Sequence, residues 1–227
     1  MRTFSIRFFF SALLITVMLP GCTPKEEPTS LTVANSDTSV YLAFGHQVAD
    51  YATWRAGFDA AESTRAEFGI EIEYVMQGED DPNLVWIVAS AADQASAEAF
   101  MVDPGLARSM EMAGVQGEVY RAILDAGYFS DLDAADYNER VIVQHEVRDF
   151  DKWKDVFDGH VGSRERAGVV DLFVSYPIGD TNDVHMMFSI SDPTEATAYM
   201  SFEALHVAMR LSGVIGEPRA YFVRLAE

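Results

Sequence analysis

The chain carries one sequence pattern twice, at a constant offset of 99 residues and without a gap. His46 and Trp54 recur as His145 and Trp153 (145 − 46 = 99). The other pairs at this offset are Asp50/Asp149, Phe58/Phe157, Asp59/Asp158, Arg65/Arg164, Gly69/Gly168, Asn83/Asn182, Asp93/Asp192, Met101/Met200, Leu106/Leu205, Met110/Met209, Gly114/Gly213, Val115/Val214, Gly117/Gly216 and Glu118/Glu217. A fixed period of this kind marks an internal repeat, so the sequence predicts a duplicated domain.

Each copy predicts the element order strand, helix, strand, strand, helix, strand. A β-rich segment (40–48 and 140–147) precedes an aspartate at an N-cap position, Asp50 or Asp149. Gly69 and Gly168 are placed to end the first helix. The predicted hairpin strands of the first copy are 70–77 and 84–91. Its second helix runs from Asp93 to Met112 with a break near 103–105, and its last strand is 118–124, matched by 219–225 in the second copy. This βαββαβ order is the ferredoxin-like module.

Apolar residues occupy both faces of the predicted sheet. Leu42 and Phe44 share one parity of the first strand with Val48, while Tyr41 has the other. In the later strands, Trp86 and Val88 oppose Val85 and Ile87, and Leu172, Val174 and Tyr176 oppose Phe173. A sheet with two apolar faces needs cover on both. The sequence therefore predicts an α+β fold in which two fused ferredoxin-like modules pack their sheets together as an internal pseudo-dimeric α/β barrel, so that one chain acts as a monomer.

The second copy resembles a known group of small proteins. Its pattern is Asp149-Phe150-Asp151-Lys152-Trp153-Lys154-x-x-Phe157-Asp158-x-His160, followed by Arg164, Gly168 and a late Ala-Met-x-x-x-Gly-Val. This pattern is similar to dimeric α/β-barrel proteins of the antibiotic-biosynthesis-monooxygenase (ABM) group. The resemblance covers both repeats and implies the barrel fold. That fold hosts monooxygenases, haem-degrading enzymes, isomerases and plain ligand binders, so it implies no single activity.

The first residues are typical of an export signal. Arg2 and Arg7 precede an apolar run (8–19), and Leu19-Pro20-Gly21-Cys22 resembles the lipobox of bacterial lipoproteins. The resemblance implies cleavage after residue 21, lipidation of Cys22 and attachment to the membrane, and Thr23 resembles the pattern for the outer membrane. An ordinary signal peptide or an anchor helix stays an alternative. The predicted divisions are signal 1–21, flexible tether 22–39, repeat one 40–125, linker 126–138 and repeat two 139–227.

The charge excludes one class of partner. With 16 Lys and Arg against 36 Asp and Glu, the formal charge is −20, which repels phosphate backbones. We therefore expect no nucleic-acid partner. The acidity is interpreted as a solubility device, with a cationic partner as the alternative.

The repeated histidines and arginines are the candidate catalytic residues. His46 and His145 have the parity of the apolar core, which suits either a hydrogen-bonded core residue or a general base. Arg65 and Arg164 fall in line with core aromatic residues. They are interpreted either as cations at the helix end or as anion clamps at the mouth of a pocket.

The candidate ligand pocket comprises Trp54, Phe58, Trp153, Phe157, Trp86 and His185, for which a core role is the alternative. Repeat two has three histidines without counterparts, His160, His185 and His206, but their spacing matches no metal signature. The Asn, Trp and His set of haem degradation is incomplete, so we expect neither a metal nor a cofactor. Phosphate loops, nucleophile elbows and Cys-His pairs are absent from the sequence.

Three functions remain open from the sequence. The first is a lipid-anchored envelope protein that binds a small apolar or aromatic molecule. The second is a cofactor-independent oxygenase or isomerase of the ABM type. The third is an envelope scaffold that docks another protein.

Overall fold

The computed structural model describes residues 32–33, 39–125, 127–129 and 137–226. The predicted signal peptide, Cys22 and most of the predicted tether and linker lie outside the described residues. Within the described part, no helix is long and apolar enough to cross a membrane.

Repeat one contains the predicted βαββαβ order with each helix divided in two. Its elements are β2 (Val40–Val48), α1 (Tyr51–Ala60), α2 (Glu62–Glu67), β3 (Ile70–Gly78), β4 (Leu84–Ala91), α3 (Gln94–Met101), α4 (Pro104–Met112) and β5 (Val115–Leu124). The predicted caps are confirmed, since the side chains of Asp50 and Asp93 accept backbone hydrogen bonds at the starts of α1 and α3. Asp103 caps α4 in the same way, which confirms the predicted break.

Repeat two has the same elements. They are β7 (Glu139–Val147), α5 (Phe150–Gly159), α6 (Val161–Arg166), β8 (Val169–Ser175), β9 (Asp183–Ile190), α7 (Pro193–Met200), α8 (Glu203–Ser212) and β10 (Val214–Leu225). Asp149 and Asp192 cap α5 and α7 as predicted. Two further short strands, β1 (Thr32–Val33) and β6 (Tyr128–Phe129), pair with each other inside the ranges predicted as tether and linker, and β6 extends the edge of β8.

The first helix of each repeat was predicted to be continuous, but it divides into two helices, between α1 and α2 in repeat one and between α5 and α6 in repeat two. At the break the carbonyl of Phe58 accepts from the backbone of Ala61 and from Nη1 of Arg65, at 2.6 Å. Phe157 makes the matching bond with Nη1 of Arg164, at 2.7 Å. The repeated arginine thus caps a carbonyl that the helix leaves without its usual partner.

The strands form one antiparallel sheet in the order β1-β6-β8-β9-β7-β10-β3-β4-β2-β5. Two seams join the repeats, and they obey the same offset of 99 as the sequence. Val223 pairs with Gly78 at one seam, and Leu124 pairs with Pro177 at the other. The flanking bonds also correspond, from the Glu79 amide to Phe222 and from the Ile178 amide to Ile123. Two related seams close the sheet into a barrel with approximate two-fold symmetry.

The buried apolar residues form three clusters, as this closure requires. One cluster lies between helices and sheet in each repeat, around Trp54 and Trp153 respectively. The third lies inside the barrel, between the strands of the two repeats, and draws on both: Ala43, Met76, Trp86, Val88, Leu124, Ile142, Leu172, Phe173, Met187 and Val223. The prediction that the bare sheet faces bury each other is confirmed.

One predicted alternation was wrong. Leu172 and Phe173 both pack between the sheets, while Val174 packs on the helix side. A β-bulge between Asp171 and Phe173 causes the shift, because an extra residue moves the side chains after it to the other face.

Candidate functional site

The two repeated histidines lie near the ends of β2 and β7 and point to the helix side of the sheet. His46 is 3% exposed and His145 is 6% exposed. The His46 ring lies 5.8 Å from that of Trp54, and the His145 ring lies 5.5 Å from that of Trp153. None of the four ring nitrogens has a hydrogen-bond partner among the described residues. The predicted alternative of a hydrogen-bonded core histidine therefore does not match either position.

Burial keeps both imidazoles neutral. It lowers the pKa of His46 to about 4, with a smaller effect in the same direction from Arg121. Burial also lowers the pKa of His145 to about 4, against an opposing effect of Asp183. At neutral pH each ring offers one N–H donor and one lone pair, without a charge. Such a group suits a hydrogen bond to a ligand better than it suits proton abstraction.

Arg164 is not an anion clamp, and it does not extend to solvent at the helix end. Its side chain is buried, and Nε and Nη2 each donate to Asp171 at 2.6 Å. The guanidinium also lies 3.7 Å from the ring centre of Phe157. Asp171 occupies Nε and Nη2, so the predicted anion-clamp role of Arg164 was wrong. The predicted position at a helix end holds, because Nη1 donates to the Phe157 carbonyl, but the side chain is buried there. A buried carboxylate one strand away was the partner that the sequence analysis missed.

Arg65 lacks the carboxylate partner that Arg164 has in Asp171. Its guanidinium lies 4.1 Å from the ring centre of Phe58, as in repeat two. Position 72, which corresponds to Asp171, is an isoleucine. Within the described ranges no carboxylate forms an ion pair with Arg65. Comparison of the two repeats at this position, Ile72 against Asp171, would have shown the difference from the sequence.

Each repeat has a cavity between its helices and its sheet, but the two differ in size. The repeat-one cavity measures about 60 Å³ and is lined by Trp54, Phe58, His46 and Arg65, among others. The repeat-two cavity measures about 580 Å³ and is lined by the counterparts of all four residues. The structure therefore brings together eight of the ten predicted residues described here, His46, His145, Arg65, Arg164, Trp54, Phe58, Trp153 and Phe157, as two separate sets.

Smaller side chains on the floor of the second cavity account for part of the size difference. Phe44 lines the floor in repeat one and packs in the same core cluster as Leu42. The matching residues of repeat two, Val141 and Val143, both line the larger cavity. Met186 replaces the β-branched Ile87 beside them. These exchanges open some space at the floor, and the second cavity also extends along β10 to Pro218 and Ala220.

Trp86 and His185 do not belong to either cavity. Both residues lie between the two sheets, so grouping them with the pocket was wrong; successive residues of a strand face opposite sides. His185 lies 3.1 to 3.2 Å from the hydroxyl of Tyr120 and 3.2 Å from the carboxylate of Asp183. The hydrogen bond from His185 lowers the pKa of Asp183, and burial raises the pKa of Tyr120. This polar cluster across the barrel was not predicted, because it joins residues from different repeats.

The remaining histidines have local partners. His160 lies 2.7 Å from the carbonyl of Val156, and His206 lies 2.8 Å from that of Met200. No group of three or more potential ligands that could hold a metal occurs in the described part of the chain.

Comparison with known proteins identifies the fold. No protein-family model and no curated protein matches the chain. A proposed monooxygenase of Fusobacterium nucleatum superposes with a TM-score of 0.59 at 9% identity, over 85% of this chain and 94% of that one. An anthrone oxidase-like protein gives 0.58 at 12% identity, over 85% and 93%. A proposed chlorite dismutase gives 0.56 at 15% identity, over 84% and 96%. The chain has the tandem ferredoxin-like fold of ABM-type dimeric α/β barrels. At these identities the likeness concerns the fold and not the activity.

Proposed function

We propose that this protein binds a small apolar or aromatic molecule that carries a hydroxyl or carbonyl group, in the cavity of repeat two. The observation that supports the proposal is His145, a buried neutral imidazole without a partner, at the floor of a cavity of about 580 Å³. Cavities of roughly 300–1,000 Å³ are typical of small-molecule sites. The walls supply aromatic and thioether groups from Trp153, Phe157 and Met186.

In this proposal the ligand supplies the hydrogen-bond partner that the His145 ring lacks. A buried polar group without a hydrogen bond costs about 1–3 kcal/mol, and a ligand hydroxyl or carbonyl placed against the ring removes that cost. The apolar part of the ligand then packs on the stacked rings of Trp153 and Phe157, whose centres are 4.9 Å apart. Arg164 contributes packing rather than recognition, since Asp171 occupies its fork.

An enzyme of the ABM type is the second candidate, and the pKa of the histidine disfavours it. A base with a pKa of about 4 takes a proton poorly from a phenol, whose pKa is about 10. The six-unit difference corresponds to roughly 8 kcal/mol before any stabilisation of the anion. Binding without turnover is the function that the geometry supports better.

The proposed location is the bacterial cell envelope. The lipobox-like segment that ends at Cys22 supports lipidation there, and Thr23 supports the outer membrane, facing the periplasm. Labelling with a tagged fatty acid tests this proposal: the label is expected on the wild-type protein and not on the Cys22→Ser variant. Label on both proteins, or on neither, contradicts it.

A binding experiment tests the cavity. The purified protein is titrated with phenols, quinols and haemin, and tryptophan fluorescence is followed because Trp153 contacts the site. We expect at least one phenol or quinol to bind without turnover, and the His145→Phe variant to bind it about tenfold more weakly, as the loss of one hydrogen bond predicts. His46→Phe is the matched control from repeat one and leaves the affinity unchanged.

Three results would contradict the proposal. Turnover that His145→Phe abolishes would favour the enzyme. Haemin bound with a shifted absorption band that depends on His145 would indicate a haem site, since a neutral imidazole is also an iron ligand. Equal binding to both variants would place the ligand elsewhere.

A further inference from the structure

The guanidinium group of Arg164 makes three kinds of contact: with a backbone carbonyl, with an aromatic ring and with a carboxylate. Nη1 donates to the Phe157 carbonyl, and the group stacks on the Phe157 ring. Nε and Nη2 form two parallel bonds to the oxygens of Asp171, both 2.6 Å long. This two-pronged geometry is the preferred mode of carboxylate recognition by arginine.

Repeat one preserves two of these three contacts. Nη1 of Arg65 donates to the Phe58 carbonyl at 2.6 Å, and the guanidinium stacks on the Phe58 ring. These contacts hold the fork in the orientation that Arg164 has. Ile72 replaces the aspartate, so Nε and Nη2 of Arg65 make no hydrogen bond to any described residue.

In the part of the chain that the structure describes, no neighbouring acid takes the place of the missing carboxylate. Asp59 and Glu62 influence Arg65 electrostatically, but Asp59 is bound by Arg55 at 3.0 Å. The main effect on Arg65 is partial burial, which lowers its pKa. Arg65 is thus a partly buried cation whose Nε and Nη2 are available to an anion that approaches from outside the protein.

The fork lines a cavity that also contains a buried polar group without a partner, the imidazole of His46. Arg65, Ile72 and His46 all line the same space of about 60 Å³, whose walls are otherwise almost entirely apolar. His46 is 3% exposed, and both of its ring nitrogens lack partners. Ile72 supplies no carboxylate, so the cavity is the place from which an anion with an apolar tail can approach the fork of Arg65.

We propose that repeat one binds a small carboxylate, whose two oxygens take on Arg65 the place that the oxygens of Asp171 have on Arg164, and whose short apolar tail enters the cavity. A water-sized position needs roughly 10–15 Å³, so about 60 Å³ accommodates roughly four to six non-hydrogen atoms. Acetate, propionate and butyrate have this size. The site is separate from the repeat-two cavity, and it stands whether or not that cavity binds a ligand.

The test follows the arginine Nε–H signals by NMR during titration with these three acids. The Arg164 signal reports a fork that holds a carboxylate and serves as an internal reference. We expect the Arg65 signal to move towards the Arg164 position, while butyramide and butanol leave it unmoved. Arg65→Gln is expected to weaken butyrate binding about 10- to 100-fold, the range for losing hydrogen bonds to a charged group. An unmoved Arg65 signal, or an equal response to butyramide, overturns the proposal.

The Ile72→Asp variant supplies the sharpest control, because it installs the carboxylate that repeat two already has. In this variant the Arg65 signal is expected to match that of Arg164 without ligand, and the response to butyrate is lost. A persisting response contradicts the proposed site. If the variant does not fold, Arg65→Gln decides the question alone. His145→Phe leaves the butyrate response intact, which separates this site from the proposed ligand site of repeat two.

Discussion

Acid should destabilise this protein through its two buried histidines. The pKa of His46 and that of His145 are each lowered to about 4 in the folded protein, against an ordinary value of about 6.5. Between these values the unfolded chain binds protons that the folded chain excludes, so the free energy of unfolding falls as the pH falls. At pH 5 the loss is about 2 kcal/mol for each histidine, or about 4 kcal/mol for the pair. Well above pH 6.5 neither residue contributes to the pH dependence.

The measurement is urea unfolding of the wild type and of the double variant His46→Phe, His145→Phe, at pH 7 and at pH 5. A loss of about 4 kcal/mol moves the wild-type midpoint by about 2 M if the slope is about 2 kcal/mol per M. The double variant should lose much less, because the other three histidines are present in both proteins and their effects cancel. The capping aspartates contribute to the pH dependence in a lower range, since their pKa values lie below the ordinary 3.8. Equal losses in the two proteins would refute the argument that burial without a partner holds these rings neutral.

Two further predictions concern stability. Asp171→Asn removes the partner of the buried Arg164 and should cost about 3–5 kcal/mol in urea unfolding, whereas Asp59→Asn breaks an exposed pair and should cost less than about 1 kcal/mol; similar costs would contradict the burial argument. Gly45→Ala places a Cβ 2.8 Å from the Trp86 ring and should cost about 1–3 kcal/mol. Trp86→His, the residue type that repeat two has at this position, should relieve most of that cost, and additive effects in the double variant would exclude a direct clash.

The duplication made the fold predictable. A hydrophobic pattern read once is ambiguous, but the same helix cap at Asp50 and Asp149, and the same left-handed glycine at Gly69 and Gly168, give independent evidence for one element. The two-faced apolar strands then required a second sheet. That requirement depends only on the cost of exposing apolar surface, so it could be derived without coordinates.

The site was less predictable, because it depends on distances that no local pattern encodes. The bulge before Phe173 changed the face of the residues that follow it. The pairing of Arg164 with Asp171 required the spacing between a helix and a strand. Cavity volume was also hidden, since the substitution of Phe44 by Val143 opens space only if the helices do not move inwards.

The presence of both seams within one polypeptide has an evolutionary consequence. When two identical chains associate, every substitution appears on both sides of the axis, so a change that enlarges one chamber enlarges the other. Here Val223 meets Gly78 while Leu124 meets Pro177 within a single polypeptide, and each half can change without altering its twin. A single chain can thereby have a narrow cavity beside Arg65, which has no ion-pair partner among the described residues, and a wide cavity beside Arg164, which is neutralised by Asp171. A symmetric dimer of identical chains cannot have two different cavities of this kind.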